Sequence, residues 1–108
     1  MAIVLDAMGS DTHPIPEIEA AAIASELFQE EIILTGNQEI LAPMLDERNT
    51  KKHPVRIVHA SDVLEMGEKA VESARKKPNN SMAVGLDLIK QQQARAFVTA
   101  GNTGAAMF

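Results

Sequence analysis

The sequence predicts an α/β fold with a doubly wound, mainly parallel sheet flanked by helices, and three observations predict it. Apolar runs of strand length alternate along the chain with stretches of helical period. The runs are apolar at nearly every position, as strands covered on both faces must be. Loops rich in Gly, Asp and Asn follow them, beginning at Asp6, Gly36, His59 and Gly101. In such a sheet these loops share the carboxyl edge, where ligands collect near helix amino termini.

The first strand is the run at residues 3–5, closed by Asp6 and a loop holding Gly9, Asp11, Pro14 and Pro16. Pro16 and Glu17 suit a first helical turn, and Ala20, Ile23, Ala24 and Leu27 share one helical face, which is the face expected to be buried. Residues 31–35 read as a second strand stopped by Gly36, after which Asn37 caps a helix reaching Leu45 and carrying Ile40, Leu41 and Met44, with Pro43 disturbing it. Residues 46–54 are polar and aperiodic, a connection. A third strand follows at residues 55–59, then a short helix at residues 68–77 ended by Pro78. Ser81 is placed to cap the next helix, whose apolar face holds Met82, Gly85, Leu86 and Ile89 and which runs to about Gln93. The fourth strand is expected at residues 96–100, and Gly101-Asn102-Thr103-Gly104 turns into a further helix. A chain stopping inside that helix reads as a fragment of a longer protein.

The totals narrow the function. At 108 residues there is room for one domain, not two. With three Phe and neither Trp nor Tyr, no Trp or Tyr platform for stacking bases exists, and the net charge of −5 opposes a phosphate backbone, so no nucleic-acid partner is expected. The absence of Cys removes a disulfide framework, a thiolate zinc site and a thiol nucleophile, and fits a cytoplasmic setting. No apolar run approaches the roughly 20 residues that cross a bilayer, so any membrane contact is expected to be peripheral.

Three constellations could carry chemistry. TAGNTGA, residues 99–105, puts Gly101, Asn102, Thr103 and Gly104 between a strand and a helix, where backbone N–H groups and the helix dipole can hold an anion. The structural alternative is a tight turn with an ordinary cap. RKKPNNSM, residues 75–82, sets Lys76 and Lys77 before Ser81 and its helix, an arrangement that holds phosphate or merely offsets a helix dipole. DAMGSD, residues 6–11, carries Asp6 and Asp11, which could orient a loop, handle a proton or form Asx turns. His59, at a strand end on the same edge, could donate to an oxyanion or serve as a hydrogen-bonded structural residue. Neither Asp6 nor Asp11 has a His or Cys partner at convincing metal-ligand spacing, so no metal and no cofactor is assigned.

Taken in order, IVLDAMGSD, EIILTGN, the His59-Ala60-Ser61-Asp62 exit with Met66, ARKKPNNSM and AFVTAGNTGA resemble the PlsX family of phosphate acyltransferases over essentially the whole chain. Family members are longer, and they more often carry a glycine where this chain has Ser10. The resemblance implies a fold similar to the isocitrate and isopropylmalate dehydrogenases and a homodimer. It implies a reaction in which inorganic phosphate attacks acyl-acyl-carrier protein to give acyl phosphate, with Asn102, Lys76, His59 and Asp6 as catalytic candidates. Gly101, Thr103, Gly104, Lys77, Ser81 and Asp11 are the substrate-binding ones. The product would pass to a membrane glycerol-3-phosphate acyltransferase. Two alternatives remain at this point: a phosphotransacetylase-like or nicotinamide-linked enzyme of related fold, the dehydrogenase needing a metal-carboxylate cluster that the sequence does not display, and a non-catalytic phosphate-binding module.

Overall fold

Ile33 and Leu34 are neighbours in sequence and both wholly buried, because the sheet that carries them is covered on both faces. The computed structural model describes residues 2–10, 12–48, 55–61 and 79–100. In chain order they form β1 (Ala2–Asp6), α1 (Ile15–Phe28), β2 (Ile32–Gly36), α2 (Gln38–Asp46), β3 (Val55–His59), α3 (Ser81–Lys90) and β4 (Ala94–Val98). The expected helix at residues 68–77 and the glycine turn after Ala100 lie outside the described residues.

The four strands are parallel and ordered β3-β2-β1-β4. Side chains alternate across the sheet. On one face Leu34 and Ile32 pack with Ile18 and Ala21 of α1 and with Leu41 and Leu45 of α2. On the other, Val4 and Ile33 pack with Leu88 of α3, against which Phe97 of β4 also rests. Gly85 permits the close approach of α3: a Cβ built there would lie 2.4 Å from Phe97 Cε1 and 3.2 Å from Val4 Cγ1.

The buried face of α1 is not the one expected. Glu17, Ile18, Ala21 and Ser25 face inward, whereas Ile23 and Leu27 are 60% and 68% exposed. Both stripes of this helix carry apolar residues, so period alone does not choose between them. The choice falls to Glu17, whose carboxylate is held inside by the β1–α1 loop. Ser25 tolerates the interior by donating to Ala22 O at 3.0 Å.

Smaller shifts have local causes. β4 begins at Ala94, not Ala96, because Ala94 and Ala96 pair with Ala2 and Ile3 of β1. α3 ends at Lys90 without a glycine: Gln92 takes the left-handed conformation at φ 59, while Gln92 N donates to Ile89 O and Gln93 N to Leu88 O. That is the paired bonding that closes a helix carboxyl end, and it leaves no mark in composition when glutamine fills the glycine position. Among the described residues, no helix is long and apolar enough to cross a membrane.

Candidate functional site

From β1 the chain steps outward through β2 to β3, then returns to pair β4 with the opposite side of β1. With α1 and α2 on one face and α3 on the other, the winding reverses between β1 and β4. Beyond the carboxyl ends of those two strands lies the crevice that such a reversal opens.

Asp6 ends β1 at that crevice and is 2% exposed. Its Oδ1 accepts from Met8 N at 3.0 Å and from Ser81 Oγ at 2.5 Å. Its Oδ2 accepts from Thr99 Oγ1 at 2.8 Å. One buried carboxylate thus ties together the first residue of α3 and the residue that follows β4. All three donors are oriented toward the acid, so a charge that burial would penalise is compensated by hydrogen bonding. The arrangement acts as a brace, fixing the strand-end loops relative to one another.

Ser81 was expected to cap α3, and the structure gives that role to Asn80. Asn80 Oδ1 accepts from Ala83 N at 2.8 Å, which frees the Ser81 hydroxyl to reach an acid 75 residues earlier in the chain. Asn37 caps α2 as expected, accepting from Glu39 N at 3.0 Å.

The β1–α1 loop is held separately. Glu17, 4% exposed in the first turn of α1, accepts from Ser10 N at 3.1 Å and from Ser10 Oγ at 3.0 Å. The helix dipole favours an acid at that end. A glycine at position 10 would offer only the first of these bonds, so Ser10 adds a tie to the loop. His13 N donates to Ser10 O at 3.2 Å, extending the same turn.

His59 ends β3 on the carboxyl edge, where its Nδ1 accepts from Gln38 N at 3.1 Å. That bond secures the start of α2 and leaves Nε2 as the N–H of the neutral ring. With β2 lying between β3 and β1, His59 stands about two strand spacings, roughly 10 Å, from β1, away from the Asp6 brace.

Thr35 pairs in register with Asp6 and shares its face of the sheet. It is fully buried, and among the described residues its hydroxyl has no hydrogen-bond partner. An unpaired buried hydroxyl carries a desolvation penalty without a compensating bond, so Thr35→Val, nearly isosteric, is expected to leave stability unchanged or raise it by up to about 1 kcal/mol in urea unfolding of the full-length protein. A loss above about 1 kcal/mol would mean that the hydroxyl is satisfied in solution.

Of the residues expected from sequence, Asp6 and Ser81 meet directly, and His59 sits apart on the same edge. Asp11, Lys76, Lys77, Gly101, Asn102, Thr103 and Gly104 lie outside the described residues. Thr99 and Glu17 were not singled out. A hydroxyl residue near the carboxyl end of the expected fourth strand was a signal for the first; for the second, an acid in the first turn after a serine-bearing loop.

Comparison with known proteins covers the whole chain. The profile of a family described as fatty acid synthesis protein matches residues 1–108. Relatives named phosphate acyltransferase include those of Koribacter versatilis, 49% identical over 97% of the chain, and Acidobacterium capsulatum, 44% identical over 97%. That of Clostridioides difficile is 36% identical over 99% of the chain. The chain spans 30% to 32% of the length of these relatives.

Proposed function

Because the chain belongs to the fatty acid synthesis protein (PlsX) family, we propose that it forms the phosphate-holding edge of a phosphate acyltransferase serving phospholipid synthesis. The observation that supports this reading most is the Asp6 brace. It draws Ser81, which follows the cationic RKKPNN segment, and Thr99, which opens TAGNTGA, to one carboxylate at the reversal of the sheet. One segment suited to holding an anion therefore ends, and another begins, at one fixed point. The 108 residues are read as the amino-terminal portion of a single α/β acyltransferase fold related to the isocitrate and isopropylmalate dehydrogenases.

The donor in this reading is acyl-acyl-carrier protein. A phosphate oxygen attacks the thioester carbonyl carbon, a C–O bond forms, and the tetrahedral oxyanion collapses with loss of the C–S bond. The departing thiolate takes the proton that hydrogen phosphate carried, so acyl phosphate and the carrier thiol leave in balance. No acyl-enzyme is needed, since phosphate is itself the nucleophile. Lys76 and Lys77 supply charge, Asn102 and Thr103 supply donors, and Gly101 and Gly104 let backbone N–H groups approach the anion. Asp11 and His59 serve as loop supports at the same edge. Holding both reactants in line can contribute about 7 to 11 kcal/mol in favourable cases. The enzyme works as a cytoplasmic homodimer, peripheral to the membrane, and hands its product to a membrane glycerol-3-phosphate acyltransferase.

The test is acyl phosphate formation by the full-length protein from acyl-acyl-carrier protein and inorganic phosphate. Asn102→Ala and Lys76→Ala are each expected to lower kcat/KM by roughly tenfold to a hundredfold, the worth of one charge-assisted hydrogen bond. Absence of product from the parent would remove the function, and parental rates in both variants would remove the site.

A further inference from the structure

Helix α1 carries apolar side chains on two sides. Ile18 and Ala21 meet the sheet, while Pro16, Ala20, Ile23 and Leu27 share the opposite side and are exposed. The exposure is large: 60% at Ile23, 68% at Leu27, and 64% at Phe28 where the helix ends. A helix that is apolar on both sides belongs between two layers. Among the described residues α1 has one, the sheet with α2 beside it.

Charge identifies what the second layer must carry. Residues 1–47 hold no Lys or Arg. Every charged side chain of α1 and α2 is therefore acidic: Glu17, Glu19 and Glu26 on the first helix, Glu39 and Asp46 on the second. Helical spacing sets Glu19 and Glu26 along one flank of the exposed stripe. Glu19 pairs with Arg48, and Glu26 has no ion-pair partner among the described residues. An anionic membrane is repelled by such a face, since α1 lacks the Lys and Arg that hold an interfacial helix on lipid. A second copy laid symmetrically on the same stripe would set acids against acids. A cationic partner with an apolar side meets both requirements.

We infer that a cationic amphipathic helix, supplied by the same polypeptide outside these 108 residues, lies along the outer side of α1. Its apolar side rests on Ile23 and Leu27, and a Lys or Arg meets Glu26. The relatives have room for such a helix, since the chain spans 30% to 32% of their length. A cover from the same polypeptide is permanent, which suits a stripe of large apolar side chains that would otherwise stay in water. The α1 helix is then an inner helix of the whole protein, and a homodimer must form through another surface. This placement holds whatever reaction the Asp6 edge performs.

The experiment puts photoreactive benzoylphenylalanine in place of Leu27 or Phe28, separately, in the full-length protein, and identifies by mass spectrometry what each probe captures. The expected product is a cross-link within one polypeptide, to a peptide outside residues 1–108 that carries Lys or Arg beside apolar residues at helical spacing. Capture of a peptide within residues 1–108, of a second copy, of a peptide without Lys or Arg, of lipid from added anionic vesicles, or of nothing overturns the proposal. Glu26→Lys gives an independent reading that needs no probe in the stripe. Against a cationic neighbour it should lower Tm by at least about 2 °C, with the drop shrinking at about 1 M salt. On a bare, all-acid face the same change relieves repulsion, so a Tm that stays level or rises also overturns the proposal.

Discussion

Replacing Asp6 with alanine is expected to destabilise the full-length protein by about 3 to 5 kcal/mol, measured by urea unfolding, and to abolish most acyl phosphate formation. The size follows from what the side chain satisfies. Alanine would leave the Ser81 and Thr99 hydroxyls and the Met8 N–H without their shared acceptor in a site where Asp6 and Ser81 are both nearly inaccessible. Each buried donor left unpaired costs about 1 to 3 kcal/mol, and relaxation of the loops recovers part of the sum. On the proposed reading the activity loss should exceed what reduced stability explains, because the brace fixes where the cationic segment ends and where the glycine turn begins. Asn at the same position retains an acceptor and a polar hydrogen, so it should cost distinctly less stability. A stability loss of under about 1 kcal/mol for Asp6→Ala would show that the three donors find other partners and that the brace is dispensable.

Gly85→Val should have the next largest effect, a loss of about 3 kcal/mol, at the upper end of what overpacking costs. A Cβ at this position would meet Phe97 Cε1 at 2.4 Å and Phe97 Cδ1 at 2.8 Å, closer than carbon atoms can sit. Either the Phe97 ring leaves its place on β4 or α3 lifts from the sheet. The second response would draw Ser81 at the helix start away from Asp6, so phosphate-dependent activity should fall with stability. Phe97→Leu in the same chain removes the ring edge and should restore part of the loss, a coupling that a double-mutant cycle measures directly. If Gly85→Val and Gly85→Val with Phe97→Leu are equally stable, the ring contact does not set the helix position.

These two residues also show how far a sequence reads. Gly85 was legible as part of an apolar helix face, but not as the point of closest approach, since its clash partner Phe97 is on another element. Asp6 was legible as a candidate because it follows a buried strand. Its partners, 75 and 93 residues further along the chain, were not. Ion pairs show the same limit: Arg95 with Glu30 and Arg56 with Glu31 join residues far apart in sequence, and being half exposed they add little to stability.

The sequence alone determined that strands and helices alternate, that the sheet is parallel and doubly covered, and which edge gathers the polar loops. Those properties follow from local periodicity and from turn residues, whose preferences act over a few positions. Which stripe of α1 is buried, which of Asn80 and Ser81 caps α3, and which donors close on Asp6 were decided only by the tertiary structure. In each case two local choices are nearly equal in energy. The difference is supplied by a partner from a distant part of the chain, whose contribution depends on a distance that no local pattern encodes.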